Sequence, residues 1–229
     1  MSFRWRNWWR WRSRLSEQLT TCEKNMRLFS YKLTNDSGFA PNPFFGALTV
    51  ATCKPRIRKS KRVGDWIAGF TSRELCGDAV GEERLIYLMQ VTDKILISEY
   101  FSRPDFQNKI PDLSRKEFVY QAGDNIYKLQ DNDFIQLPNR NHTLDHKFHD
   151  LSGEFVLVST KFYYFGREPL PIPDHLRPEV PMGQSAHGSL THNPERATEF
   201  INFVTKNSEV GVRNAPHKWP SNDKSWESK

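Results

Sequence analysis

The sequence has no CxxC pair, and its three cysteines are Cys22, Cys53 and Cys76. An odd number without metal-type spacing argues against a disulfide scaffold and for reduced thiols in a cytoplasmic protein. No run approaches the roughly 18 apolar residues of a membrane span. The N-terminal charges are followed by no apolar stretch of the secretory kind. P-loop, GxSxG, HExxH and deaminase-type HxE with PCxxC patterns are all missing. No cofactor is therefore expected. Hydrophobic residues make up only 37% and mean hydropathy is −0.70, so part of the length is expected outside a packed core. There are no internal repeats.

What is present bounds the rest. A chain of 229 residues suits one domain, or one domain with tails. Aromatics at 13% are too many for a wholly disordered chain. The net charge of +6 is uneven, because residues 1–25 hold six cations against two acids and contribute +4 of it. Most of the remainder is one cluster, Lys54, Arg56, Arg58, Lys59, Lys61 and Arg62. A local patch matters more here than overall basicity.

Residues 1–25 alternate Trp with Arg in "MSFRWRNWWRWRSR". They read as a disordered extension or as sequence upstream of the natural start, the competing reading being an arm for a membrane surface or nucleic acid. One domain is expected over 26–206, and a flexible polar tail over 207–229. "MRLFSYK", "ALTVATC", "VGDWIAGF", "RLIYLMQVT", "EFVLVST" and "FYYFG" read as strands. Ser98 is expected to open a short helix in "SEYFSRPDF". Asn193 as cap and Pro194 at the first helical position open the one strong helix, with Ala197, Phe200, Ile201 and Val204 on its apolar face. The fold class expected is α+β, mainly β: a small, partly closed barrel with short helical decorations and a C-terminal helix.

Four segments carry candidate chemistry. In an extended chain Lys54, Arg56 and Arg58 share one face, which suits a phosphate backbone or a nucleotide phosphate. A solvated edge strand protected by its charge is the alternative. Phe39, Phe44 and Phe45 lie in a proline-stiffened loop and could stack on a base or plug the core. Asp124, Asn125 and Tyr127 form a turn that could recognise a base edge, although such turns are commonly only turns. His142, His146 and His149, with Asp145 and Asp150, lie in a polar segment that reads as a loop. No metal is expected there, and a histidine would serve rather as donor or general base.

Taken in order, "FAPNPFFGALTVATCKPRIR", "VGDWIAGF", "RLIYLMQVT", "SEYF", "GDNIY", "HD" and "VLVSTKFYYFG…PLPIP" resemble the nucleotide modification associated domain 2 family, over roughly Met26 to Arg177. The matching positions are Asn42, Pro43 and Phe44; Lys54, Pro55 and Arg56; Gly64, Asp65 and Trp66; Gly123, Asp124, Asn125 and Tyr127; and His149, Asp150, Tyr164 and Gly166. The Gly-Asp turn, strand pair and short helix are also similar to PUA-like domains of the EVE and ASCH kind, an analogy of fold alone. The resemblance implies a bacterial or phage protein associated with nucleotide and DNA modification, without a settled reaction. The reading that follows is a pocket for a modified nucleotide or flipped base. Lys54, Arg56 and Arg58 would be its phosphate-facing edge, and Asn42, Phe44, Phe45, Trp66, Asp124, Asn125, Tyr127, His149 and Tyr164 its contacts. An enzyme using Asp124 or His149 as base, or an interaction subunit of a phage or defence complex, are the alternatives. The partners expected are a nucleotide or DNA carrying a modified base, and other nucleotide-modification proteins.

Overall fold

The computed structural model describes residues 27–182, 188–189 and 193–227. The Trp/Arg-rich segment 1–25 lies outside them. Sheets dominate over helices.

The main sheet has the order β10-β1-β3-β4-β9-β11, built from β1 (Leu28–Lys32), β3 (Trp66–Phe70), β4 (Leu85–Gln90), β9 (Lys161–Tyr164), β10 (Gly188–Ser189) and β11 (Gly211–Val212). β1 runs parallel to β3, and β4 is antiparallel to both β3 and β9. The run "LIYLMQ" is central because five of its six residues are fully buried, and its side chains serve two cores, Ile86, Tyr87 and Met89 one and Leu85 and Leu88 the other. Tyr87 and Met89 face one side, and Leu88 faces the other. β3 can lie against Tyr87 because Gly69 has no side chain: a Cβ there would sit 2.2 Å from the ring.

A smaller antiparallel sheet, β2-β8-β5, covers one face. It comprises β2 (Leu48–Val50), β5 (Asp93–Leu96) and β8 (Phe155–Ser159). Leu48, Val50 and Leu157 pack on Tyr31, Ile67, Tyr87 and Met89. The opposite face is covered by the helix Pro194–Asn207 through Ala197, Phe200, Ile201 and Val204. Asn193 caps this helix by accepting from the Arg196 amide at 3.0 Å, with Pro194 at its start, as the sequence indicates. A hairpin of β6 (Tyr127–Gln130) and β7 (Asp133–Gln136) completes the strands described. Among the described residues the sheets do not close into a barrel.

Three expectations are corrected. First, the cationic segment is not extended: Pro55–Ser60 is a helix. Proline at the first position presets its backbone, and Ile57 and Arg58 turn into the core. Residues two apart on a helix diverge by roughly 200°, so Arg56 is exposed while Arg58 is 0% exposed. Second, the polar segment expected as a loop contains a 3-10 turn, Leu144–His146, and a short helix, Lys147–Leu151. Third, the chain after Asn207 is no loose tail. β11 pairs with β9, Trp219 stacks on Phe44 at 5.0 Å, and its Nε1 donates to the Ser37 carbonyl at 2.7 Å. Large aromatics, Trp219 and in the same cluster Trp226, anchor an otherwise polar stretch. The helix expected from Ser98 begins at Ile97, over Ile97–Tyr100.

Candidate functional site

β2 ends at Val50, and the helix Pro55–Ser60 starts five residues on. Between them the backbone turns through two left-handed residues, Cys53 at φ 54° and Lys54 at φ 38°. Neither is glycine, and such conformations cost on the order of 1–3 kcal/mol each unless surroundings enforce them. Here the surroundings are specific. The Cys53 amide donates to Asp150 Oδ1 at 2.7 Å. The Cys53 carbonyl accepts from Arg58 Nε at 2.8 Å. The turn holds the Cys53 side chain at a small cleft of about 100 Å³.

His142 lies across from that thiol, with Nε2 3.3 Å from Cys53 Sγ. Its other ring nitrogen, Nδ1, is 2.6 Å from Asp150 Oδ2. The carboxylate thus stands on the far side of the ring from the thiol. Tyr127 Oη donates to the same Oδ2 at 2.8 Å. The result is a series, Cys53–His142–Asp150, whose last member is fixed by a buried tyrosine and by the backbone of the first.

Arg58 makes the series rigid. Its guanidinium donates to the carbonyls of Cys53 and of Phe155, the latter at 2.8 Å, and to that of Asp150. The thiol turn and the acid-bearing helix are therefore tied by one side chain. Gly153 makes room for it, since a Cβ there would meet Arg58 Cζ at 2.4 Å. A bidentate fork of N–H donors suits this task where a lysine would not.

The electrostatics follow from burial and partners. Burial works against a charged His142, but the hydrogen bonds to Asp150 and Cys53 outweigh it, and its pKa is pushed up to about 9. Burial likewise opposes the Asp150 charge, yet His142, the Cys53 amide and Tyr127 hold its carboxyl below the ordinary range. Burial, then Asp150, push the Tyr127 phenol up. A histidine raised from 6.5 to about 9 on folding contributes stability that is complete below about pH 6.5 and fades as pH rises through 9. Asp150, depressed on folding, contributes above the ordinary carboxylate range and loses that contribution in acid. Thermal midpoints measured from pH 6.5 to 9.5 are expected to fall, and to fall less in a His142→Ala variant. Equal slopes in the two proteins would show that the imidazolium is not held.

The Cys53, His142 and Asp150 donor atoms lie within 4.8 Å of one another. The thiol and the carboxylate sit on opposite ring nitrogens. An ion bridging Sγ and Nε2 would leave Asp150 to orient the ring rather than to bind. The arrangement is that of a nucleophile, a base and an orienting acid.

The residues singled out in the sequence are distributed as follows. Lys54 lines the thiol cleft, with its ammonium over the Tyr31 ring at 4.9 Å. Tyr127 reaches Asp150, and Arg58 is the clamp. Arg56 and His149 are exposed and outside the series. Asn42 is buried, donating to the Ala122 carbonyl at 2.9 Å and accepting from Lys109 Nζ at 2.7 Å. Asp124 accepts from Thr49 at 2.7 Å and from Tyr100 at 2.9 Å. Burial raises its pKa against the opposing charge of Lys109. Asn125 donates to the carbonyls of Tyr100 and Phe106. Phe44, Trp66 and Tyr164 are core residues, and Tyr164 donates to Asp36. Phe45 pairs with the Tyr120 ring at 5.9 Å. Of the series, His142 and Asp150 lie in the segment where the sequence suggests a histidine donor or base, with Asp150 also a family-matching position, whereas Cys53 has no role in the sequence reading. The available signal was a cysteine at a strand-to-helix junction before Lys-Pro, with a His- and Asp-rich segment later in the chain.

Neither the comparison with curated proteins nor that with solved structures gives a match. The family comparison does: the model for nucleotide modification associated domain 2 matches residues 25–223. That span begins beside the first described strand and takes in Cys53, His142, Asp150 and the Trp219 anchor. The chain belongs to the nucleotide modification associated domain 2 family.

Proposed function

We propose that this protein is a thiol enzyme of nucleotide modification, in which Cys53 attacks an acyl-type carbon carried by a nucleotide. The observation behind the reading is the series of contacts Sγ to Nε2 and Nδ1 to Oδ2. The family description supplies the nucleotide. His142, held as the imidazolium by its raised pKa, carries at Nε2 the proton that the thiol has given up. The thiolate then forms a C–S bond at the carbonyl carbon, and the C–O or C–N bond to the leaving group breaks. His142 returns the proton to that oxygen or nitrogen. Water or an amine, deprotonated by His142, next attacks the thioester carbon and releases the thiol. Asp150 holds Nδ1–H and stabilises the imidazolium formed in both halves.

A module that only reads modified bases would need a cleft and cations, but not a thiol, imidazole and carboxylate in series. Arg58 is consumed internally and is not part of a phosphate-facing edge. The test is incubation with natural and modified nucleotides, free and in DNA. Products and intact protein are both read by mass spectrometry. A substrate-dependent adduct on Cys53, with turnover abolished in Cys53→Ala, is expected. Undiminished turnover in that variant would refute the nucleophile.

A further inference from the structure

A second cleft of about 180 Å³ adjoins the thiol cleft, with Ser37 and Asn141 in the walls of both. Asn141 immediately precedes His142, and its amide oxygen accepts from Ser37 Oγ at 2.8 Å. The second cleft is lined further by Phe118, Gln121, Arg140, Lys218 and Trp219, with no carboxylate. Arg140 and Lys218 are exposed, and neither forms an ion pair with a described residue. Arg140 covers the Phe118 ring with Cζ 5.3 Å from its centroid. Gln121 is 5% exposed, and its Nε2 donates to the Arg115 carbonyl. That bond fixes the amide orientation and leaves Oε1 buried without a partner. A buried acceptor with no donor is costly unless a ligand or water meets it.

We infer that this neighbouring cleft holds the nucleotide part of the substrate. Its base would lie against Phe118 with an amino group donating to Gln121 Oε1, and its phosphate on Arg140 and Lys218. The inference rests on the thiol-enzyme reading for what happens next door, but the binding itself does not. Two cations on one rim suit a phosphate, by charge and by donor number. An aromatic ring beside them suits a planar base. The orphan acceptor selects among bases: cytosine and adenine present an amino donor on their pairing edge, whereas thymine presents a carbonyl at the equivalent position. The transferable group would then extend past Ser37 and Asn141 to Cys53.

The experiment is calorimetric titration of the Cys53→Ala protein with dCMP, dAMP, dTMP and single-stranded oligo(dC). Binding of dCMP and dAMP is expected, with dTMP at least about fivefold weaker, a conservative share of the 1–3 kcal/mol assigned to recognition of a base edge. Arg140→Ala with Lys218→Ala should weaken every ligand by about tenfold or more. The comparison between dCMP and dTMP needs no further variant to fold. Oligo(dC) binding alone, with the same dependence on Arg140 and Lys218, would support the site and assign it to a strand. Mononucleotide binding alone would support it and assign it to free nucleotides. No binding at millimolar concentration, dTMP equal to dCMP, or indifference to the double variant would overturn it. Iodoacetamide labelling of Cys53 in the unaltered protein tests the thiol separately, so failure of either idea is visible without the other. Saturating dCMP should slow that labelling.

Discussion

Arg58→Ala is expected to destabilise the protein by about 3–5 kcal/mol, the range for losing one partner of a buried charged network. The guanidinium is fully buried and serves three backbone carbonyls, those of Cys53, Asp150 and Phe155. Truncation takes a donor from each of the three, leaving the Asp150 carbonyl only backbone amides such as that of Gly153 at 3.2 Å, and opens a void beside Gly153. Burial lowers the Arg58 pKa while the Asp150 charge opposes that shift, as expected for a cation kept inside by its acceptors. Arg58→Lys should recover only part of the loss, because one ammonium cannot match a planar fork aimed at separate carbonyls. Arg56→Ala, two positions earlier and exposed, should stay within about 0.5 kcal/mol. Urea denaturation of the three variants decides the matter. Similar small losses at both arginines would return Arg58 to the surface role that an extended segment implies.

The second large effect concerns thiol reactivity. Cys53 alkylation by iodoacetamide at pH 7, followed peptide by peptide, should slow about tenfold or more in His142→Ala, which removes the imidazolium that favours the thiolate. Asp150→Asn should slow it as well. An amide cannot stabilise an imidazolium, and its NH2 group can force the wrong ring tautomer. Cys76 is the internal control. Its thiol is pushed up by burial and lies 3.8 Å from His217, remote in sequence from the series. Its rate should be the same in all three proteins. A Cys53 rate unchanged by both variants would remove the base from the mechanism, whatever the protein binds.

Strands were legible where the pattern admits one structure. "RLIYLMQVT" is too short for a buried helix and too apolar for a surface, and it forms the central strand β4. The C-terminal helix was legible from its cap, its proline and four spaced apolar residues, and these are the residues that cover the main sheet. The cationic segment departs from the extended expectation because three alternating cations share a face only in a strand, whereas the helix Pro55–Ser60 sends Arg56 and Arg58 apart. Only Pro55 hinted at the helix. The polar C-terminal stretch differs from expectation because composition averages away its few anchors, the β11–β9 pairing, Trp219 on Phe44 and the His217 amide on Asp36.

The sequence by itself determined the mainly β character, the C-terminal helix, the family pattern and the local nature of the charge. These depend on residues near one another along the chain, where hydrophobic period and turn chemistry act directly. The tertiary structure alone decided the site. Cys53 and His142 are 89 positions apart and Cys53 and Asp150 are 97, and the buried Arg58 holds their loops in register. The sequence also placed Asp124, Asn42 and Tyr164 among candidates, because a buried polar residue in a hydrogen-bonded core has the same composition as one in a pocket. Which of the two it occupies depends on whether its partners come from the protein or are left open to a ligand.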